Sequence, residues 1–236
     1  VGEEIGIKLT FDDGPDSRTD TTTVPTVSRT QRLLNMLKNN SVIPNIKATF
    51  FVQTHCTSPY GGGVPKDAKH PMSGEELIKA IANDGHHVEV HTGNNEGHNG
   101  AYYHTEQVKE PRYDADDDGD KDAVDGDNAL EGDLIRAKAR ITSWTRRVPL
   151  LVRPPAREFN DIVQQFYTKQ QLTMQLWDVD TQDYTNNDSV VIGNLSTTEY
   201  GGIPFWIKKG KTSLVILFHD VKENTVKNFE SYLKVI

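Results

Sequence analysis

Runs of apolar residues alternate along the chain with stretches whose apolar positions recur every three or four residues. Ile5–Phe11 is a short apolar run that stops at Asp12 and Asp13, followed by a Gly14-Pro15 break. It reads as a buried strand whose C-terminal end presents two adjacent acids. Thr30–Asn40 carries Leu33, Leu34 and Leu37 at helical spacing. Ile46–Gln53 reads as a second strand. Ser73 followed by Glu76 forms a capping-box signature that opens a helix to about Asn83, and Gly85 stops it. His87–His91 is a short strand. Glu131–Arg147 is helical, with Leu134, Ile135 and Ile141 on one face. Leu150–Arg153 is a strand ending at Pro154-Pro155, Asn160–Lys169 a helix, and Met174–Asp180 a strand. Leu214–His219 is almost continuously apolar, as a strand covered on both faces should be. Glu223–Val235 closes the chain as a helix.

Strands alternating with helices predict an α/β fold with a parallel sheet, open or closed into a barrel. In such folds the site lies at the C-terminal ends of the strands. Two segments break the alternation. Thr54–Pro71 is rich in Gly and Pro and reads as a long loop over the site. Asn99–Asp127 is an acidic insertion. We read 1–236 as one domain carrying that insertion.

Composition narrows the function. A net charge of −8 argues against nucleic acid and anionic lipid as partners, and suits a neutral polymer. The mean hydropathy is −0.61 and no apolar stretch is long enough to cross a bilayer, so no membrane insertion is expected. Cys56 is the single cysteine, which rules out an internal disulfide and leaves the compartment open. No signal peptide is visible. The first residue is Val1 and not Met, which reads as a processed or trimmed product. The oligomeric state is not legible.

The strand ends collect chemistry. The first gives Asp12 and Asp13, the strand near Val90 gives His91, with His98 shortly after, and the strand near Val152 gives Arg153. The strand near Trp177 leads to Asp178, Asp180, Asp183 and Tyr184, and the last gives His219 and Asp220. Neighbouring strand side chains point in opposite directions, so one acid of a pair can hold a metal while the other handles a proton. Two His and one carboxylate are a common ligand set for catalytic zinc. A further carboxylate and a separate His complete a set for metal-assisted hydrolysis.

The segments Thr10-Phe11-Asp12-Asp13-Gly14-Pro15, Gly85-His86-His87-Val88-Glu89-Val90-His91-Thr92, Arg153-Pro154-Pro155-Ala156, Asp180-Thr181-Gln182-Asp183-Tyr184 and Leu217-Phe218-His219 stand in this order. Together they resemble the polysaccharide deacetylase family, the NodB-homology or carbohydrate esterase family 4 enzymes. Ile46–Val52 also looks like that family's second strand. The resemblance implies a distorted (β/α)7–8 barrel of the NodB-homology type. It also implies metal-dependent removal of acetyl groups from a sugar polymer, with zinc or another divalent metal in the site. Carried over, Asp13 and His91 look like metal ligands, and Asp12 like the base that takes a proton from the attacking water. Arg153 would orient Asp12. The backbone N–H of Ala156, beside Pro155, would hold the oxyanion. His219 looks like the acid that protonates the leaving group, tuned by Asp183. Leu217 and Tyr184 resemble the wall around the acetyl methyl.

Three departures stand out. The family's second metal His follows the first by four residues, and Asn95 stands there in this chain. The next His is His98, and a spacing of seven on a helix would separate the two side chains by about 10 Å. If His98 is the ligand, the segment must loop, and Gly93, Asn94, Asn95 and Gly97 favour that. Asn95 and His104 are the alternatives, the amide being disfavoured by zinc's preference for N and S donors. Ala156 stands where the family has an aromatic, and Tyr184 where it has Trp.

Within the insertion, Asp114, Asp116, Asp118, Asp120, Asp122 and Asp125, with Gly119 at position six, match a twelve-residue calcium loop with Asp in place of the final Glu. A structural Ca2+ is the expectation. Tyr102 and Tyr103 are candidates for sugar stacking. Trp144, Trp177 and Trp206 read as core, one of His86 and His87 as a structural hydrogen-bonding residue, and His55 and His70 as surface residues. Three functions stay open: removal of N-acetyl groups from peptidoglycan or a chitin-like polymer, removal of O-acetyl groups from a polysaccharide such as xylan, and glycan binding through an impaired metal site. The substrate class implies an extracellular, periplasmic or cell-envelope location.

Overall fold

The computed structural model describes residues 5–20, 24–55, 60–93 and 129–236. Strand β1 (Gly6–Asp12) precedes a small antiparallel pair, β2 (Thr19–Asp20) with β3 (Val24–Ser28). Then follow α1 (Arg29–Asn39), β4 (Thr49–Gln53), α2 (Gly74–Asn83), β5 (His87–Thr92) and α3 (Ala129–Thr145). The second half holds β6 (Leu151–Val152), α4 (Asp161–Lys169), β7 (Thr173–Met174), β8 (Val179–Asp180), α5 (Asp188–Ser196), α6 (Ile203–Lys208), β9 (Ser213–His219) and α7 (Glu223–Leu233). Seven strands form one sheet in the order β7-β6-β5-β4-β1-β9-β8, and every pairing in it is parallel. The sheet curls into the distorted (β/α) barrel expected from the sequence.

Period-two alternation decides what faces where. Leu9 and Phe11, Phe50 and Val52, Val88 and Val90, and Ile216 and Phe218 belong to the core shared with the helices. On that side Phe11 lies 5.0 Å from Phe50, 5.9 Å from Phe218 and 5.2 Å from Phe229 of α7, ring centre to ring centre. Leu33, Leu34 and Leu37 of α1 and Leu77, Ile78 and Ile81 of α2 are fully buried. Truncating a ring such as Phe11 to Ala would cost about 3–5 kcal/mol. The intervening residues, among them Thr10, Asp12, Phe51, Glu89, His91, Leu217 and His219, point the other way, into the barrel. The interior thus mixes polar and charged side chains with Phe51 and Leu217, and it opens at the strand C-termini.

Local signals account for several boundaries. Ser28 caps α1, Asn160 caps α4, and Ser73 with Glu76 makes the reciprocal capping box that opens α2. Buried Glu89 accepts the backbone N–H of Leu150 (2.8 Å) and Leu151 (2.7 Å), which fastens the very short β6 to β5. His86 accepts the N–H of Ala48 at 3.1 Å; it is the structural histidine, and burial first, with Lys47 nearby, pushes it down to about 4.

One expected element is corrected. Met174–Asp180 is not one strand: β7 pairs with β6 and β8 with β9, at opposite edges of the sheet. Residues 175–178 carry the chain between those edges. The backbone carbonyls there turn inward to a side chain, Gln175 at 3.0 Å and Leu176 at 3.3 Å from the Arg153 guanidinium, so they are spent on Arg153 and not on a ladder. The pair β2–β3 and helices α5 and α6 were not anticipated.

Candidate active site

β1 ends at the centre of the sheet, between β4 and β9, so Asp12 and Asp13 emerge at the middle of the barrel mouth. Asp12 is buried, and Arg153 donates to it at 2.8 Å. Arg153 itself is fully buried. Its guanidinium also donates to Thr10 Oγ1 at 2.8 Å and to the two carbonyls of the crossover. It lies over the rings of Phe51 (4.2 Å) and Trp177 (5.6 Å). Thr10 Oγ1 donates in turn to the Ile216 carbonyl at 2.7 Å. The carboxylate is thus fixed in a buried, charge-assisted network.

Asp13 adopts a positive φ of 78°. Gln53 holds that turn: its Nε2 donates to the Asp13 carbonyl at 2.7 Å, and its backbone N–H donates to Gly14 O at 2.9 Å. The turn throws the Asp13 carboxylate toward His91, whose Nε2 lies 3.2 Å from Asp13 Oδ1. His91 Nδ1 donates to the Arg153 carbonyl at 2.7 Å, which fixes the tautomer with Nε2 facing the acid. Gly14 is required by close approach, because a Cβ there would stand 2.1 Å from a carboxylate oxygen of buried Asp220.

Across the mouth, His219 Nδ1 bonds Asp183 Oδ1 at 2.6 Å. The second Asp183 oxygen accepts the His219 N–H (2.8 Å) and the Thr225 hydroxyl (2.5 Å). Asp183 is fully buried. Burial opposes the imidazolium, but the hydrogen bond and charge of Asp183 outweigh it. With Asp13 and Asp12 adding their charges, His219 is lifted to about 9. The other ring nitrogen, Nε2, is left to the cavity that His219 lines.

That cavity, about 280 Å³, is lined by Asp12, Asp13, His91, Pro154, Ala156, Trp177, Asp180, Tyr184, Leu217, His219 and Lys222. The structure therefore brings Asp12, Asp13, His91, Ala156, Tyr184, Leu217 and His219 together, with Arg153 and Asp183 behind them. Pro155 is buried, and Pro154 takes its place on the wall. Ala156 stands in the left-handed region (φ 53°, ψ 17°). Leu217 is buried, Tyr184 is half exposed, and its ring meets His219 edge-on at 6.3 Å.

Trp177, expected in the core, is half-buried and forms part of the wall. His55 and His70, expected at the surface, are half-buried and do not line this cavity. His98, Asn95, His104, Tyr102, Tyr103 and the acidic positions Asp114, Asp116, Asp118, Asp120, Asp122 and Asp125 lie outside the described residues. Thr10, Gln53, Asp180, Trp177, Lys222 and Thr225 were not singled out from sequence as site residues. Asp180 and Trp177 had a signal, their place beside a strand end, and Thr10 had one as the first residue of the Thr10–Pro15 motif.

Among the described residues no three His, Cys, Asp or Glu side chains form a metal site. The two that converge still fit a metal. Two ligands of a tetrahedral zinc at 2.0–2.1 Å stand about 3.3 Å apart, close to the 3.2 Å between His91 Nε2 and Asp13 Oδ1. The carbonyl that a ligating His needs on its other nitrogen, to hold the ring in place, is also present. Burial opposes a proton on His91, but the charges of Asp12 and Asp13 outweigh it, and the same negative charges attract a metal cation.

Comparison with known proteins agrees with this picture. A family model described as polysaccharide deacetylase matches residues 2–175. A bifunctional xylanase/xylan deacetylase of Cellvibrio japonicus is 26% identical over 217 residues, covering 91% of this chain and 23% of that protein. A peptidoglycan-N-acetylglucosamine deacetylase of Bacillus cereus is 23% identical over 188 residues, covering 80% of this chain and 50% of that protein. The chain thus spans half or less of the curated relatives it matches. Among solved structures, a family 4 carbohydrate esterase from Streptomyces lividans in complex with acetate aligns with a TM-score of 0.62 at 22% identity, covering 99% of this chain and 88% of that one. A CE4 family pseudoenzyme from Bacillus anthracis aligns with a TM-score of 0.58 at 16% identity, covering 98% and 61%. The structural likenesses establish the fold.

Proposed function

The chain belongs to the polysaccharide deacetylase family, and from that premise we propose that it is a metal-dependent hydrolase removing N-acetyl groups from a glycan containing N-acetylglucosamine. The observation that carries the reading is the meeting, in one cavity, of an oriented carboxylate, an acid–histidine pair at ligand spacing and a second histidine poised as an acid.

Asp13 and His91 would hold the divalent metal, zinc by donor type, with His98 as the third protein ligand. When bound, such a metal polarises an acyl carbonyl and acidifies water. Asp12 accepts the proton of the attacking water, its orientation kept by Arg153. The backbone N–H of Ala156 donates to the oxygen on which negative charge develops. Leu217 and the Tyr184 ring enclose the acetyl methyl. His219, charged at neutral pH, delivers a proton to the departing amine, and Asp183 keeps the ring in the donating orientation. A polymer substrate of this kind places the activity in the extracellular space or the cell envelope.

Metal analysis of the purified protein, followed by acetate release from N-acetylglucosamine oligomers, peptidoglycan and acetylated xylan, tests the reading. Bound zinc with acetate and free amine from the first two supports it. Acetate from xylan alone would favour the O-acetyl esterase reading. No metal and no acetate from any of them would leave glycan binding, to which Asn95 at the family's usual ligand position points. Asp12→Asn should abolish turnover while the metal stays bound. Loss of metal from that variant would mean that the two acids exchange roles.

A further inference from the structure

A second depression, about 570 Å³, adjoins the catalytic cavity. Its lining includes Arg157, Gln182, Asn194, Thr197, Tyr200 and Trp206, and it shares Ala156, Trp177 and Asp180 with the catalytic wall. The two spaces share that wall, the catalytic cavity being the smaller and the second depression a wider arm beside it. The methyl side chain of Ala156 stands at the junction.

The far wall of that arm carries Tyr200, which is 83% exposed. Exposed aromatics standing singly are ordinary. Tyr200 is not single: its ring is braced by Phe205 at 5.3 Å and by Trp206 at 6.0 Å, and those two rings pack edge to face at 5.0 Å. Trp206 is pinned in turn, its Nε1 donating to the Asp178 carbonyl at 2.8 Å and Lys211 lying over its ring at 4.8 Å. The braced ring gains little further rigidity from a ligand, so little entropy is lost on binding. Between Tyr200 and Trp177 the surface is polar: Asp180, Gln182 and Asn194, whose amide donates to the Thr181 carbonyl at 3.1 Å and so turns its oxygen elsewhere. An aromatic face with nearby carboxylate and amide groups suits a pyranose, which offers C–H bonds on one face and hydroxyls around its edge.

We propose that Tyr200 is the stacking platform of a distal sugar site, occupied by the same glycan chain whose acetyl group enters the catalytic cavity. The proposal rests on the deacetylase reading for the identity of the chain and deepens it: this arm makes the protein prefer oligosaccharides over single sugars. Asp180, at the junction, is positioned to accept hydroxyl donors between the two sites.

The test is binding in a non-hydrolysing Asp12→Asn background, by calorimetric titration with N-acetylglucosamine oligomers of one to six units. Affinity should rise with length while Tyr200 is present. Tyr200→Ala should weaken hexamer binding about fivefold and flatten the rise, and Tyr200→Phe should restore it, since stacking needs the ring and not the hydroxyl. Hexamer affinity unchanged by Tyr200→Ala, or no dependence on length with Tyr200 present, would overturn the proposal. Acetate release by the unmodified protein is measured in parallel. If that fails while the length-dependent binding through Tyr200 holds, the deacetylase reading falls and the sugar platform stands.

Discussion

His91 and His219 are each paired with an aspartate, yet the two pairs are wired in opposite senses. His91 spends Nδ1 on a backbone carbonyl and turns Nε2 to a partly exposed Asp13. His219 spends Nδ1 on Asp183, an acid with no exposure and three donors around it. A carbonyl can only accept, so the His91 Nδ1 proton is committed there and Nε2 is the nitrogen left to share a cation, proton or metal, with Asp13. A buried, fully engaged carboxylate stabilises positive charge, so His219 keeps a proton. The same residue type is prepared to share a cation in one place and to retain a proton in the other, according to which nitrogen is engaged and by what.

Removing each histidine separates the two roles most sharply. His91→Ala should abolish activity and lose the metal, measured as zinc per protein after dialysis. His219→Ala should keep its zinc and lower kcat about 10²- to 10⁴-fold; loss of zinc from that variant would break the comparison. Next in size is Asp183→Asn. Asp183 lifts His219 above its ordinary range, so the acid form persists into alkaline pH and activity falls as pH rises through the raised value. A bound cation offsets the shares of Asp12 and Asp13 but leaves that of Asp183. The variant should move the basic limb of the pH–rate profile down toward the ordinary value of about 6.5, and an unmoved limb would mean that Asp183 does not set it.

The smallest effect concerns stability. Asp220 is fully buried; burial first, then the charges of Asp16 and Asp13, push it up to about 8 against one good hydrogen bond, from Thr30 at 2.6 Å. The folded state binds a proton there that the unfolded chain releases near pH 4, so stability present at low pH is lost as pH rises toward 8. Asp220→Asn should flatten that slope, with a gain of a few degrees in Tm at pH 9 and little change at pH 4.

The elements easiest to foresee were those with strong local signals. The Ser73–Glu76 box and the β1 run needed no tertiary context, and the strand-end acids and histidines could be assembled from their place in the alternation. Helix α5 escaped because Val190, Val191 and Ile192 form a β-branched run that favours a strand, and the Asn187 cap decides otherwise. The split of Met174–Asp180 escaped for a different reason: its cause is a side chain from another strand. The roles of Thr10 and Gln53 were not legible because each acts on backbone far away in sequence, the Ile216 carbonyl for one and the turn at Asp13 and Gly14 for the other. Trp177 gave an apolar signal that core and cavity wall share.

Arg153 touches Asp12 with its guanidinium and His91 with its carbonyl. The buried acid that ends β1 and the histidine that faces Asp13 are therefore referenced to a single residue, the one that follows a two-residue strand. A shift of that strand end would pull on both side chains at once. The placement of the two side chains is therefore coupled through one shared partner.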